Sequence, residues 1–225
     1  MVQDAMRRAY ALLLAAVLLP MAACHPTPRP EAIAEAEVQV VDEPRWRTAA
    51  SPEDVDRIAR LAAAWEQART QAGRAGFNRL MAREGPLLDP DAALPRPAPT
   101  PGSYLCRLVR FAPPVPRGAV LTAYRPFFCH VGVDGEALWI TKQTGSQRPA
   151  GYLWEDSPTR MVFLGSMALG GREEAAPYGQ NPERDMAGVF ERVGDFRFRL
   201  VIPWPRSGAT LDVFELVPNP VQSDE

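Results

Sequence analysis

The side chains able to carry chemistry are few, and they are mainly carboxylates, arginines and cysteines. The 225-residue chain has 2 histidines, His25 and His130, so a Ser-His-Asp hydrolase would have to use His130. The sequence contains no Gly-x-Ser-x-Gly elbow, His-Glu-x-x-His zinc motif, P-loop or Gly-x-Gly-x-x-Gly fingerprint. Glu155 with Asp156, and Asp185 with Glu191, offer paired carboxylates suited to glycosidic hydrolysis, although solvated or ion-paired acids are the plainer reading. No residue is assigned a catalytic role.

The segment from Lys142 to Gly151 is polar and punctuated by glycine between two apolar runs, as a ligand-binding loop would be. Within it Arg148 presents a planar fork for carboxylate or phosphate, and Gln147 a donor and an acceptor. The alternative is that Arg148 closes the end of a barrel by pairing with Glu191 or Asp185. Arg107, Arg184, Arg192, Arg197 and Arg199 complete the set of candidate anion-binding residues.

A formal charge of -2 and a pI near 5.8 deny the chain the basic footprint of a nucleic-acid binder. Lys142 is the only lysine, so arginine supplies nearly all positive charge. At the N-terminus, Arg7 and Arg8 precede an apolar run over residues 9–19, too short to span a bilayer but of signal-peptide length. Met21-Ala22-Ala23-Cys24 then resembles the lipobox of bacterial lipoproteins, with Met in place of the usual Leu. The resemblance implies cleavage before Cys24 and lipid on its sulfur and on the new amino terminus, enough for stable anchoring. His25, rather than Asp, after Cys24 resembles outer-membrane sorting, which would place the domain in the periplasm.

With Cys24 given to lipid, Cys106 and Cys129 form an even pair in an oxidising compartment, and a disulfide is expected. Cys129-His130 also suggests a metal, but no second pair of ligands accompanies it, so no metal or other cofactor is expected.

These groups need elements to position them. Residues 1–23 read as signal peptide, 24–50 as a lipidated tether rich in Pro, Ala and Glu, and 51–88 as helical. Ser51-Pro52-Glu53-Asp54 supplies an N-cap, a proline at the first helical position and first-turn acids. Val55, Ile58, Leu61, Ala62, Trp65 and Ala68 follow as one apolar stripe that must pack on the next domain. A short second helix is expected near 77–83, then a Pro-rich linker over 89–102. From 103 to 218, nine runs of β-branched and aromatic residues, the second the weakest, fall near 103–111, 119–123, 127–133, 136–142, 150–155, 159–166, 186–193, 196–203 and 210–217, making about eight strands. Residues 219–225 form a tail. The fold class is therefore α+β: one or two helices packed on an antiparallel, calycin-like barrel or sandwich.

Two hairpins can be given a register. A turn on Asp134-Gly135 sets Val131 opposite Leu138 and His130 opposite Trp139, with Cys129, Val131, Leu138 and Ile140 on one face. A turn on Gly194-Asp195 sets Arg192 opposite Arg197 and Phe190 opposite Arg199. Arg192, Arg197 and Arg199 then share a face that must recruit acids or an external anion, leaving Glu191 as a misfit among Phe196, Phe198 and Leu200.

Gly102-Ser-Tyr104 with Cys106-Arg107, Pro126-Phe-Phe-Cys129, Gly145-Ser-Gln-Arg148 with Gly151, Val162-Phe-Leu-Gly165, Tyr178-Gly179, Arg184-Asp185, Gly188, Glu191-Arg192, Arg197-Phe-Arg199 and Leu216-Val-Pro218 together resemble an uncharacterised bacterial family, domain of unknown function 4893. The resemblance spans roughly residues 50–218 and implies no activity. In architecture the chain is also similar to small calycin-like barrels, including exported metalloprotease inhibitors, though fold does not fix function. The expected protein is thus a non-enzymatic envelope lipoprotein that binds a small anionic ligand or an envelope protein. An envelope-polymer hydrolase using Asp185, Glu191 or His130, and a protease inhibitor acting through its Pro-rich segment, are the rivals.

Overall fold

The computed structural model describes residues 43–219; the signal peptide, Cys24, most of the tether and the end of the tail lie outside the described residues. Ser51 caps α2 (Pro52–Ala59) by accepting from the Asp54 amide at 3.2 Å. α3 (Leu61–Arg74) continues after a break at Arg60, and Phe77 leads into α4 (Asn78–Glu84) and a 3-10 turn, Gly85–Leu88. A helix not expected from sequence, α1 (Trp46–Ala49), lies in the stretch read as tether. Trp46 is 1 % exposed and joins the core, so order begins before the capping motif.

Nine strands follow: β1 (Gly102–Phe111), β2 (Leu121–Ala123), β3 (Phe127–Asp134), β4 (Ala137–Lys142), β5 (Gln147–Ser157), β6 (Arg160–Leu169), β7 (Asp185–Gly194), β8 (Arg197–Pro203) and β9 (Leu211–Pro218). Each pairs antiparallel with the next from β3 to β9, and β1 joins β3 to β9, closing a barrel of eight strands; β2 adds to β1 beyond the end of β3. Closure removes the unpaired edges of an open sheet.

The strands bury both faces. Inside, Tyr104, Cys106, Val131, Phe163, Phe190, Phe198, Phe214 and Leu216 fill the barrel. Outside, Val109, Phe111, Val162, Val189, Val201 and Val213 meet Ile58, Leu61, Trp65 and Leu88 of the helical segment. This explains the near-continuous apolar runs in β6 to β9, where a one-sided sheet would alternate. A cavity of about 20 Å³ beside Cys129 and Lys142 has room for about one water. The barrel is therefore a packed core, unlike a calycin that carries its ligand inside.

The first hairpin turns on Gly135-Glu136, with Gly135 at φ +60, one residue later than expected. His130 accordingly faces Thr141 and Gly132 faces Trp139. The shift moves the pairing by two, so Cys129, Val131, Leu138 and Ile140 still share the interior face. The second hairpin turns on Asp195-Phe196, and a bulge between Arg192 and Gly194 shifts the register by one. That odd shift brings Glu191 opposite Arg199 and Phe190 opposite Leu200, so Glu191 is not a misfit and Phe190 joins the interior.

A disulfide joins Cys106 to Cys129 inside the barrel, with Cα atoms 6.0 Å apart and a sequence separation of 23. Closing a loop of this length limits the unfolded chain by about 3 kcal/mol. Paired Cys106→Ala and Cys129→Ala changes are expected to lower the unfolding free energy by about that amount in a denaturant titration, while leaving the far-ultraviolet circular dichroism of the barrel in place.

Candidate functional site

Five of the six arginines proposed from sequence fall in two crowded places. On the outer face of the barrel a row of alternating charge crosses successive strands: Arg107 lies opposite Glu215, Glu215 opposite Arg199, Arg199 opposite Glu191, and Glu191 opposite Arg160. Arg107 holds Glu84 of α4 as well as Glu215, and Arg197 Nε donates to Glu215 Oε1 at 2.6 Å. The two carboxylates hold the Arg107 guanidinium well above its ordinary value.

Arg199 is the centre of the row and is 0 % exposed. Its Nε donates to Glu191 Oε2 at 2.7 Å, its Nη1 to the carbonyls of Pro86, Leu87 and Asp89, and its Nη2 to that of Pro90. Its guanidinium also lies 5.2 Å from the Trp65 ring centroid. These arginines are held by the protein's own acids and carbonyls, opposite charges facing each other across the strands. Arg192 sends its guanidinium to the Pro95 carbonyl at 2.8 and 2.9 Å. Together with the Leu94–Arg192 bridge and the Arg96 amide on Pro158, this lays the Pro-rich segment along the barrel.

The second place is the connection between β6 and β7. Arg148 does not pair with Glu191 or Asp185; its Nη2 donates to the carbonyls of Gly170 and Glu173, and its buried Nε meets no acceptor among the described residues. Arg184 holds the Glu173 carboxylate, which also accepts from the Leu169 amide at 2.7 Å. Ser166 Oγ donates to Ala176 O, and Tyr178 donates to Asp54 Oδ2 on α2. Both Asp185 oxygens accept from the Gly179 amide at 3.1 Å. Gln147 is exposed opposite Leu169. Arg148, Arg184 and Asp185 thus fasten a loop.

That loop forms one wall of a groove of about 670 Å³ on the outside of β4, β5 and β6. Trp139 and Tyr152 lie opposite each other at its floor, with Trp154, Tyr178, Ala49 and Asp134 around them. A Cβ on Gly132 would stand 2.2 Å from the Trp139 ring, so glycine is what lets the indole lie across β3. His130 packs against the same indole, ring centroids 5.4 Å apart, and makes no hydrogen bond among the described residues. The Tyr152 hydroxyl donates to Asp134 Oδ2 at 2.9 Å, and that bond holds its pKa above the ordinary value.

The acids considered for hydrolysis do not meet. Asp185 and Glu191 lie six residues apart on one strand, roughly 20 Å at about 3.3 Å per residue, beyond the separation of a glycosidase pair. Glu155 is exposed, and Asp156 accepts from Trp46 Nε1 and Arg160 Nε. No group of three His, Cys, Asp or Glu side chains among the described residues is placed to hold a metal ion.

The groove is not legible in the sequence because its members come from four strands, α1 and a loop, and only the hairpin register brings Gly132 under Trp139. Two outcomes follow for the charged groups. Arg199→Ala should lower the unfolding free energy by about 3–5 kcal/mol, because Glu191 stays buried without its partner; Arg199→Met with Glu191→Leu should recover only the part due to Glu191 in the same denaturant titration, since the carbonyls from Pro86 to Pro90 still lose their donor. Burial raises the Asp185 pKa, aided by Asp54 and opposed by the Gly179 bond and Arg206. The folded state therefore binds more protons than the unfolded state between the ordinary and the raised pKa, and stability falls as pH rises through that window. Asp185→Asn should flatten this fall, so its melting temperature gains on wild type from acid to neutral pH.

Neither curated proteins nor solved structures yield a match to the chain. The family model described as a domain of unknown function, DUF4893, matches residues 46–216, a stretch that takes in every helix among the described residues, the whole charge row and the groove. The chain belongs to the DUF4893 family.

Proposed function

We propose that this is an exported, lipid-anchored protein of the bacterial envelope that binds a small ligand on the outside of its barrel and performs no chemistry on it. The observation that carries the reading is the groove of about 670 Å³ with Trp139 and Tyr152 at its floor. Its volume falls in the roughly 300–1,000 Å³ range of small-molecule sites, and aromatic walls with few polar groups are their usual lining. The charged side chains are spent elsewhere: Glu84, Glu191 and Glu215 on arginines, and Asp185 on a backbone amide.

The address is supported by the N-terminal sequence alone. Arg7-Arg8, the apolar run at 9–19 and Met21-Ala22-Ala23-Cys24 suit export and lipidation. The inhibitor alternative would require the Pro-rich segment to leave its bonds to Arg192 and Pro158.

Native mass spectrometry of the protein purified from its own envelope tests both halves. The mass of lipid on a chain beginning at Cys24, plus a non-covalent adduct lost in Trp139→Ala, is the expected outcome. An unmodified Cys24 would remove the anchor. Turnover in a broad hydrolase screen that Asp185→Asn abolishes would replace the binding role with an enzymatic one.

A further inference from the structure

We infer that the ligand of the groove is a neutral, hydroxyl-rich sugar, bound as an oligosaccharide across Trp139 and Tyr152; this rests on the groove being the binding site. Trp139 and Tyr152 are directly opposed on neighbouring strands and point to the same side. Side chains so placed stand about 5 Å apart at Cβ, so both rings line the floor of the same groove. Aromatic faces carry negative charge density, and the C–H face of a pyranose presents weakly positive hydrogens to it.

The polar chemistry of the groove agrees. Asp134 is the one formally charged residue in its lining, and no cation accompanies it. An anionic ligand would therefore meet repulsion and no partner. A carboxylate only accepts hydrogen bonds, and Tyr152 takes one oxygen, Oδ2. Hydroxyl groups are the donors that match the remaining acceptor capacity. A peptide in this groove would need several donors for its carbonyls, and the strands that line it, β3 to β6, each already pair with a neighbour on both sides.

The floor is set before any ligand arrives. Gly132 and His130 fix the Trp139 ring, and Asp134 tethers the Tyr152 hydroxyl. Little side-chain freedom remains to be lost on binding. Asp134 is thereby also a positioning residue for Tyr152.

Isothermal titration of the mature protein, held in a detergent that carries no sugar, against cellotetraose, chitotetraose, a proline-rich peptide and inorganic phosphate tests the inference. A neutral oligosaccharide should bind. Trp139→Ala should weaken it about tenfold or more, and Trp139→Phe less, because a ring face is kept. Asp134→Asn should weaken it by a smaller factor with the melting temperature unchanged. Binding of the peptide or of phosphate alone, abolished by Trp139→Ala, would overturn the sugar and keep the groove. Failure of all the probes, or oligosaccharide binding indifferent to Trp139→Ala and Trp139→Phe in folded protein, would overturn the sugar; an envelope-derived adduct equally indifferent to Trp139 would overturn the groove itself.

Discussion

The structure depends on one buried guanidinium. Arg199 is fully enclosed, and the desolvation of such a charge is tolerated only where its donors are satisfied. Glu191 neutralises it from β7, and four carbonyls between Pro86 and Pro90 accept its remaining protons. Those carbonyls lie in and just after the 3-10 turn Gly85–Leu88, and buried carbonyls need a donor. The same side chain therefore ends the helical segment, holds the start of the Pro-rich connection and fixes the register of β7 on β8. Glu84 on Arg107, and the Glu84 carbonyl on Arg197, extend the attachment to α4.

From that attachment follows the division of the outer surface. Helices cover the strands from β6 round to β1, where valine and leucine face outward. Over β4 and β5 the outward residues are Trp139, Tyr152 and Trp154, and the cover stops at Ala49 and Tyr178. The groove is the gap between these two margins. Since the interior is filled by aromatic side chains, room for a ligand lies on the outside, and this gap supplies about 670 Å³ of it.

Much of the fold was legible because local rules and the global arrangement agree. The Ser51-Pro52 cap, the stripe from Val55 to Trp65 and the strand runs each point to the element that forms. Registers were less legible. A Gly in the turn sets which residue takes φ > 0, and Gly135 does so one position later than the Asp-Gly pair suggested. The bulge before Gly194 had no local signature, yet it decides whether Glu191 sits among phenylalanines or against Arg199. Trp46 was hidden by its setting, a lone aromatic among proline and arginine. The site was the least legible part: the arginines stood out in sequence, and it is their burial that turns them from ligand groups into supports.

Native-state hydrogen exchange measures whether the helical segment and the barrel are one cooperative unit joined through Arg199. Amides around Trp65 in α3 and around Val201 in β8 should open with the same free energy, equal to that of global unfolding, and Arg199→Met should lower the α3 value below the β8 value. Exchange of α3 at a much lower free energy than β8 in the wild-type protein would contradict the account, because the charge row would then be a surface ornament on a barrel that stands without it.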